Sequence, residues 1–133
     1  MKPISIESIV VGAGRMTCDV VLAPSAPRFT SPQVIERATR SFPTLTRHAC
    51  VNEKGPYFGS VMNCTPLPHL LEHLVIDLQT RRSESDFATF VGTTEWIDET
   101  AGKARVEVSF TDDLVALRAF RDAVNFLNDC VIR

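Results

Sequence analysis

The sequence predicts an α+β fold, a two-layer sandwich with about three helices on one face of a mostly antiparallel sheet. Short segments with strand-like alternation occur in pairs, and a helical pattern follows each pair, which gives the order ββ-α-ββ-α-ββ-α. The chain has 133 residues, of which 44% are hydrophobic and 23% are charged. This length and composition suit a single domain over residues 1–133 with a substantial core.

The first strand pair and its helix carry clear boundary signals. Residues 4–11 are rich in Ile and Val, residues 17–23 form a second apolar run, and the glycine-containing turn 12–15 separates them. We therefore expect a hairpin. Ser31 followed by Pro32 predicts the start of a helix, and Pro43 predicts its end.

The second pair precedes the segment of greatest interest. Residues 46–51 and 57–62 read as short strands on either side of a turn at residues 52–56. His48 and Cys50 are two residues apart, so both would lie on one face of the first of these strands. A helix should then run from about residues 65–68 to Gln79, with a buried stripe of Leu70, Leu71, Leu74, Val75 and Leu78.

The third pair consists of residues 87–91 and 104–110, and the second of these segments alternates cleanly between apolar and polar side chains. Residues 111–113 offer a helix cap before the last helix. Its predicted buried stripe comprises Leu114, Leu117, Phe120, Val124, Leu127 and Val131.

Charge and cysteine usage narrow the classes of function. The net charge is −2 and no basic block occurs, so we do not expect a nucleic-acid partner. No apolar run is long enough to cross a bilayer, and the first residues do not resemble a signal peptide. The four cysteines contain no C-x-x-C pair, which favours reduced thiols and a cytoplasmic location.

The most informative motif is H-x-x-E-H at residues 69–73. On a helix, His69 and His73 lie one turn apart on the same face, so both imidazoles can reach one metal ion. Glu72 lies beside them, where a carboxylate can take a proton from an attacking water as the general base. The pattern therefore predicts a zinc site of the inverted zinc-hydrolase type.

Two histidines leave the zinc shell incomplete, because a catalytic zinc takes three protein ligands and a structural zinc takes four. Cys50 is the preferred third ligand, since thiolates suit zinc. His48 and Glu95 are additional candidates. If both His48 and Cys50 bind, the zinc is structural; if only one binds, a position stays open for catalysis.

The chain also resembles a known family. Residues 42–50 resemble a P-G-L-x-x-H-x-C stretch, and residues 55–58 a G-G-F segment, of the N-terminal domain of cyanophycin synthetases. Residues 67–79 resemble that domain's G-H-x-x-E-H-x-A-L-E-L-Q helix, with Pro68 in place of the glycine. Residues 90–95 are similar to its G-x-T-R-E turn, with Thr94 in place of the arginine.

This resemblance implies a domain that binds an Asp–Arg polymer and that in some members looks like a metallopeptidase which trims it. Carried over by position, His69, Glu72 and His73 would form the metal site and base, with His48 and Cys50 beside them. In the family this domain precedes two ATP-dependent ligase modules. The present sequence has no glycine-rich nucleotide loop, so we do not expect it to make the polymer.

Three hypotheses follow. The leading one is a zinc-dependent hydrolase of amide bonds in a peptide or a cyanophycin-like Asp–Arg polymer. The alternative is a non-enzymatic module that binds a polymer or a protein and holds a structural zinc or no metal. The third is an oligomeric scaffold that has lost activity, so a homo-oligomer is also expected as one form of the chain.

Overall fold

The computed structural model describes residues 2–85 and 88–132, except for the side chains of Val51 and Ile132. It confirms the α+β fold and the ββ-α-ββ-α-ββ-α order. The elements are β1 (Ile4–Val11), β2 (Arg15–Leu22), α1 (Pro32–Ser41), β3 (Ala49–Asn52), β4 (Gly55–Tyr57), α2 (Leu67–Arg82), β5 (Gly92–Asp98), β6 (Lys103–Ser109) and α3 (Asp113–Ile132).

Four strands form one antiparallel sheet in the order β1-β2-β6-β5, and β3 and β4 form a separate hairpin. Alternate residues of the two central strands face the helices and are almost completely buried: Met16, Cys18, Val20, Leu22, Ala104, Val106 and Val108. The opposite face carries charge, and there Arg105 makes two hydrogen bonds to Asp19, at 2.8 and 3.1 Å. The alternation therefore assigns one sheet face to the core and leaves the other open.

Helix boundaries follow the predicted caps. The Ser31 hydroxyl accepts a hydrogen bond from the Val34 amide at 3.3 Å, and α1 ends one residue before Phe42. At the start of α3, the Asp112 carboxylate accepts from the Leu114 amide at 3.0 Å. These bonds satisfy amide groups that have no partner within the first helical turn.

The predicted stripe of α3 is wrong at its first position. Leu114 is 57% exposed, whereas Phe120, Val124 and Leu127 are buried as predicted. The helix packs against α2, and it buries three small side chains that the prediction did not include, namely Ala116, Ala119 and Ala123. The buried face of α3 therefore includes these alanines, and Leu114, in the first turn of the helix, lies outside it.

The second strand pair is shorter than predicted. Residues 45–47 form a 3-10 turn rather than a strand, so His48 lies just before β3 instead of within it. Residues 58–60 form another 3-10 turn, where the sequence suggested a strand to Met62. The two turns are in close contact, because a Cβ on Gly59 would lie 2.6 Å from the Thr46 carbonyl oxygen.

The strand predicted at residues 87–91 is displaced along the chain. Phe87 lies outside the described residues, residues 88–91 are not a strand, and the edge strand is β5, at residues 92–98. Antiparallel pairing with β6 fixes the position of β5: Gly92 to Trp96 pair in order with Val108 to Ala104, and the register shifts between Trp96 and Asp98, before the turn in which Gly102 adopts a φ of +74°. The prediction chose residues 87–91 because they are more apolar than the threonine-rich start of the true strand.

Helix α2 begins at Leu67, close to the predicted position, and continues three residues beyond the predicted end. The predicted stripe is buried against the sheet and α3, and the adjacent face, including Glu72 and His73, is also buried. The helix therefore lies between the sheet and the β3–β4 side of the molecule. In the described part of the chain, every helix is too short or too polar to cross a membrane.

Candidate metal centre

Helix α2 and the β3–β4 hairpin bring three metal-ligating side chains together. One ligand atom each of Cys50, His69 and His73 lies within 4.8 Å of the others. Cys50 Sγ is 3.6 Å from His69 Nε2. In a tetrahedral zinc site, sulfur and imidazole ligands are separated by about 3.6 Å, so this pair already has the spacing that zinc requires.

His69 is oriented by a residue two positions before the start of α2. Its Nδ1 lies 2.8 Å from the hydroxyl of Thr65, which leaves Nε2 facing the Cys50 sulfur. Burial lowers the pKa of His69, so the ring is neutral at neutral pH and can offer a lone pair. The edge of this ring also contacts Phe58, with ring centroids 5.0 Å apart.

His73 is the most deeply buried member of the group. It is 1% exposed, and the Phe58 ring stacks on it at 4.0 Å between centroids. Burial, together with smaller effects of the nearby His69 and His48, lowers its pKa to about 3, so the ring is neutral. Its Nε2 is the one fully buried side-chain nitrogen or oxygen among the described residues that has no hydrogen-bond partner.

That unpartnered nitrogen is the observation that makes a metal site fit. A buried polar atom without a partner costs free energy, about 1–3 kcal/mol, and native structures rarely leave one unexplained. A metal ion bound at His73 Nε2 would satisfy it. The soft sulfur and the two imidazoles form a donor set that suits zinc.

His48 contacts this group without belonging to it. Its Nδ1 lies 3.1 Å from His73 Nδ1, and its Nε2 lies 3.1 Å from the Asp77 carboxylate. Asp77 also accepts a hydrogen bond from the Thr44 hydroxyl at 2.7 Å and pairs with Arg81 at 2.7 Å. Burial acts to raise the pKa of Asp77, but these hydrogen bonds and the Arg81 charge hold it below its usual range, so Asp77 is ionised.

Glu72 lies beside His73 at the edge of this group. Its Oε2 is 3.7 Å from the unpartnered His73 Nε2, and its Oε1 accepts a hydrogen bond from the Thr94 hydroxyl at 2.7 Å. Burial raises the pKa of Glu72 to about 7, although Thr94 and His48 oppose the shift. The absence of a Gly92 side chain leaves room for this carboxylate, since a Cβ there would lie 3.0 Å from Glu72 Cγ.

The group opens into a cleft of about 1380 Å³. One wall is the face of α2 that carries His69, Glu72 and His73, a second is formed by residues 43–50, and a third by residues 88–96. His48, Cys50, His69, Glu72 and His73 all line it. A molecule bound in this cleft would therefore reach the metal-ligand group and Glu72 together.

Glu95, the other ligand candidate, is placed differently. It lines the cleft, but its side chain is exposed and it pairs across the sheet with Arg105, so it is outside the ligand group. Sequence reasoning missed Asp77, Thr65 and Thr94 as partners of the site. Asp77 carries a signal, because His69, His73 and Asp77 recur every four residues on one helix face; Thr94 carries none.

Comparison with known proteins identifies the family of the chain. The family described as Cyanophycin synthase-like N-terminal domain matches residues 15–132, which is essentially the whole chain. The chain therefore belongs to that family. No curated protein matches the chain significantly.

Proposed function

We propose that this member of the cyanophycin synthase-like N-terminal domain family is a zinc-dependent hydrolase of amide bonds in a peptide or a cyanophycin-like polymer. The observation that carries the proposal is the ionisable Glu72 carboxylate beside the unpartnered Nε2 of His73. A structural zinc site needs no such base, and it needs four protein ligands rather than three. His48 is engaged with Asp77, which supports an open fourth position.

The residues have distinct roles in this reaction. When bound, zinc would polarise the scissile carbonyl and make the attacking water more acidic. Glu72 takes a proton from that water as its oxygen attacks the carbonyl carbon. Glu72 then gives the proton to the leaving nitrogen as the C–N bond breaks, so the products are a carboxylic acid and an amine, which become a carboxylate and an ammonium when the acid's proton passes to the amine. A pKa near 7 suits both transfers.

The edge of β5 supports an extended backbone as the substrate. The Ser109 amide donates to the Val91 carbonyl at 2.8 Å, which fixes the alternation of the β5–β6 ladder. Gly92, Thr94 and Trp96 therefore direct their backbone N–H and C=O groups away from β6, and all three residues line the cleft. A strand added at this edge would lie beside Glu72.

The decisive experiment compares the zinc-loaded parent with Glu72→Gln. Purified cyanophycin and a defined mixture of synthetic peptides serve as substrates, and mass spectrometry measures the new termini. We expect the parent to cleave, and Glu72→Gln to lose turnover while it retains one zinc per chain. Glu95→Gln is the matched control, because Glu95 lines the same cleft away from the ligands. Equal turnover in Glu72→Gln and the parent would overturn the proposal.

The same experiment separates hydrolysis from the second function, which is binding of the polymer without cleavage. Membership of the family favours this alternative. It predicts that the zinc-loaded parent retains cyanophycin in a sedimentation assay and releases no new termini. In that case Glu72→Gln would bind as well as the parent.

A further inference from the structure

His73 is the last residue in a row of three side chains that contact one another. Asp77, His48 and His73 form an unbroken row, with separations of 3.1 Å at each of its two steps. The row ends at His73 Nε2, which has no partner and is fully buried. The donor or acceptor role of each polar atom in the row therefore determines the role of the next one.

The positions of the hydrogens follow from the donor and acceptor capacity of each group. An ionised Asp77 carboxylate only accepts, so His48 Nε2 must carry the hydrogen in the first contact. With His48 neutral, its imidazole has a single N–H, so His48 Nδ1 accepts in the second contact. His73 Nδ1 must then be the donor, which leaves a lone pair on His73 Nε2.

We propose that Asp77 and His48 are positioning residues that hold His73 in its Nδ1–H form and so make its Nε2 a metal ligand. The inference rests on the metal centre of the proposed function but not on its catalytic activity. It also gives His48 a role different from that of a direct ligand. Partners that donate or accept at the second ring nitrogen commonly fix the orientation and form of a ligating histidine.

Arg81 makes Asp77→Asn a sharp test. The Arg81 guanidinium lies against one carboxylate oxygen of Asp77, with Nε 2.7 Å from Oδ1. Because a guanidinium has only donors, an asparagine would keep its carbonyl oxygen there and turn its NH₂ group toward His48. His48 Nε2 would then accept, its Nδ1 would carry the hydrogen, and His73 Nδ1 would accept in turn. The hydrogen on His73 would move to Nε2 and occupy the lone pair that the metal needs.

The measurement is long-range ¹H–¹⁵N NMR of the histidine rings in the metal-free protein, together with zinc affinity by competition with a chelator. The chain has only three histidines, so the spectra are simple to assign. In the parent we expect His73 in the Nδ1–H form and His48 in the Nε2–H form. In Asp77→Asn we expect both to reverse, with a fall in zinc affinity of about 10–100-fold.

Two further variants keep the test decisive if Asp77→Asn folds poorly. His48→Asn places an amide oxygen near the position of Nδ1 and should preserve the His73 form, whereas His48→Leu removes the acceptor and should lose it. Asp122→Asn is the matched control. Asp122 lies on α3 and pairs with Arg82, which is on the same helix as Asp77 but is not part of the row. An Nε2–H form of His73 in the parent, or unchanged zinc affinity in both Asp77→Asn and His48→Leu, would overturn the proposal. A parent without hydrolase activity would not affect these readouts.

Discussion

At the scale of single residues, the centre depends on side chains whose charge state is set by burial. Burial keeps His73 neutral and raises the pKa of Glu72 to about 7. The close contact between these two residues is therefore not an ion pair near neutral pH. A neutral imidazole and a readily protonated carboxylate are the states that a metal ligand and a proton-transfer group require.

Cys50 provides the first test at this scale. The thiol faces His69 Nε2 and is partly exposed, whereas Cys130 is buried in the core cluster. Cys50→Ser should lower zinc affinity on the order of 10–100-fold, because a neutral hydroxyl is a poor substitute for a thiolate. Cys130→Ser should leave the affinity unchanged. Competition with a chelator measures both, and equal affinities for the Cys50 variant and the parent would remove Cys50 from the ligand set.

At the scale of elements, sequence patterns predicted helices more accurately than short strands. The period of α2, its prolines and its motif located a helix that carries His69, Glu72 and His73 on one face. The two 3-10 turns and β5 were mispredicted, because tertiary contacts decide them. Gly59 is held against Thr46, and the register of β5 is set by its pairing with β6. Short apolar runs carry no such information.

The sequence predicted the site residues on the motif helix, but not the contacts that depend on distant segments. Cys50 was expected to face the motif through strand alternation, and it does lie beside His69 although His48 is outside the strand. The partnership of Thr94 with Glu72 joins residues 22 positions apart and depends on the true start of β5. Nothing local in the sequence marks such a contact. Whether Cys50, His69 and His73 bind metal stays a prediction.

The free edge of β5 yields a prediction about substrates. If a peptide pairs with this edge, only alternate residues of the peptide direct their N–H groups toward β5. A set of N-methylated versions of one cleaved peptide should therefore show a period of two. Methylation at every second residue should lower kcat/KM by about three- to tenfold per position, the value of one hydrogen bond, and methylation between them should have less effect. A uniform or irregular response would argue against strand addition.

At the scale of the whole molecule, helix α2 carries an unusual number of buried polar side chains. Glu72, His73, Asp77 and Gln79 are all buried on α2, while the sheet face that packs against it is apolar. Each of these side chains has a partner: Glu72 with Thr94, His73 with His48 through its Nδ1, Asp77 with Thr44, and Gln79 with the Ser109 carbonyl oxygen. The cost of their burial is therefore offset by hydrogen bonds that also connect the helix to the walls of the cleft. Stability and site geometry depend on the same contacts.

Asp77 connects the stability of the metal-free protein to pH. The pKa of Asp77 in the folded state lies below the unfolded value of about 3.9. Its contribution to the free energy of unfolding is therefore fully present above about pH 3.9 and is lost as the pH falls toward the folded-state pKa. Asp77→Asn should reduce the free energy of unfolding by about 1–3 kcal/mol at pH 7, and this difference from the parent should shrink below about pH 4. Thr44→Val removes one of the hydrogen bonds to Asp77 but keeps the contacts with His48 and Arg81. Its loss of unfolding free energy relative to the parent should therefore be smaller, and it should also shrink as the pH falls. Urea unfolding in the presence of a chelator, at intervals from pH 7 to pH 3, measures both differences. A gap between Asp77→Asn and the parent that stays constant across this range would show that the ionised form of Asp77 does not stabilise the fold.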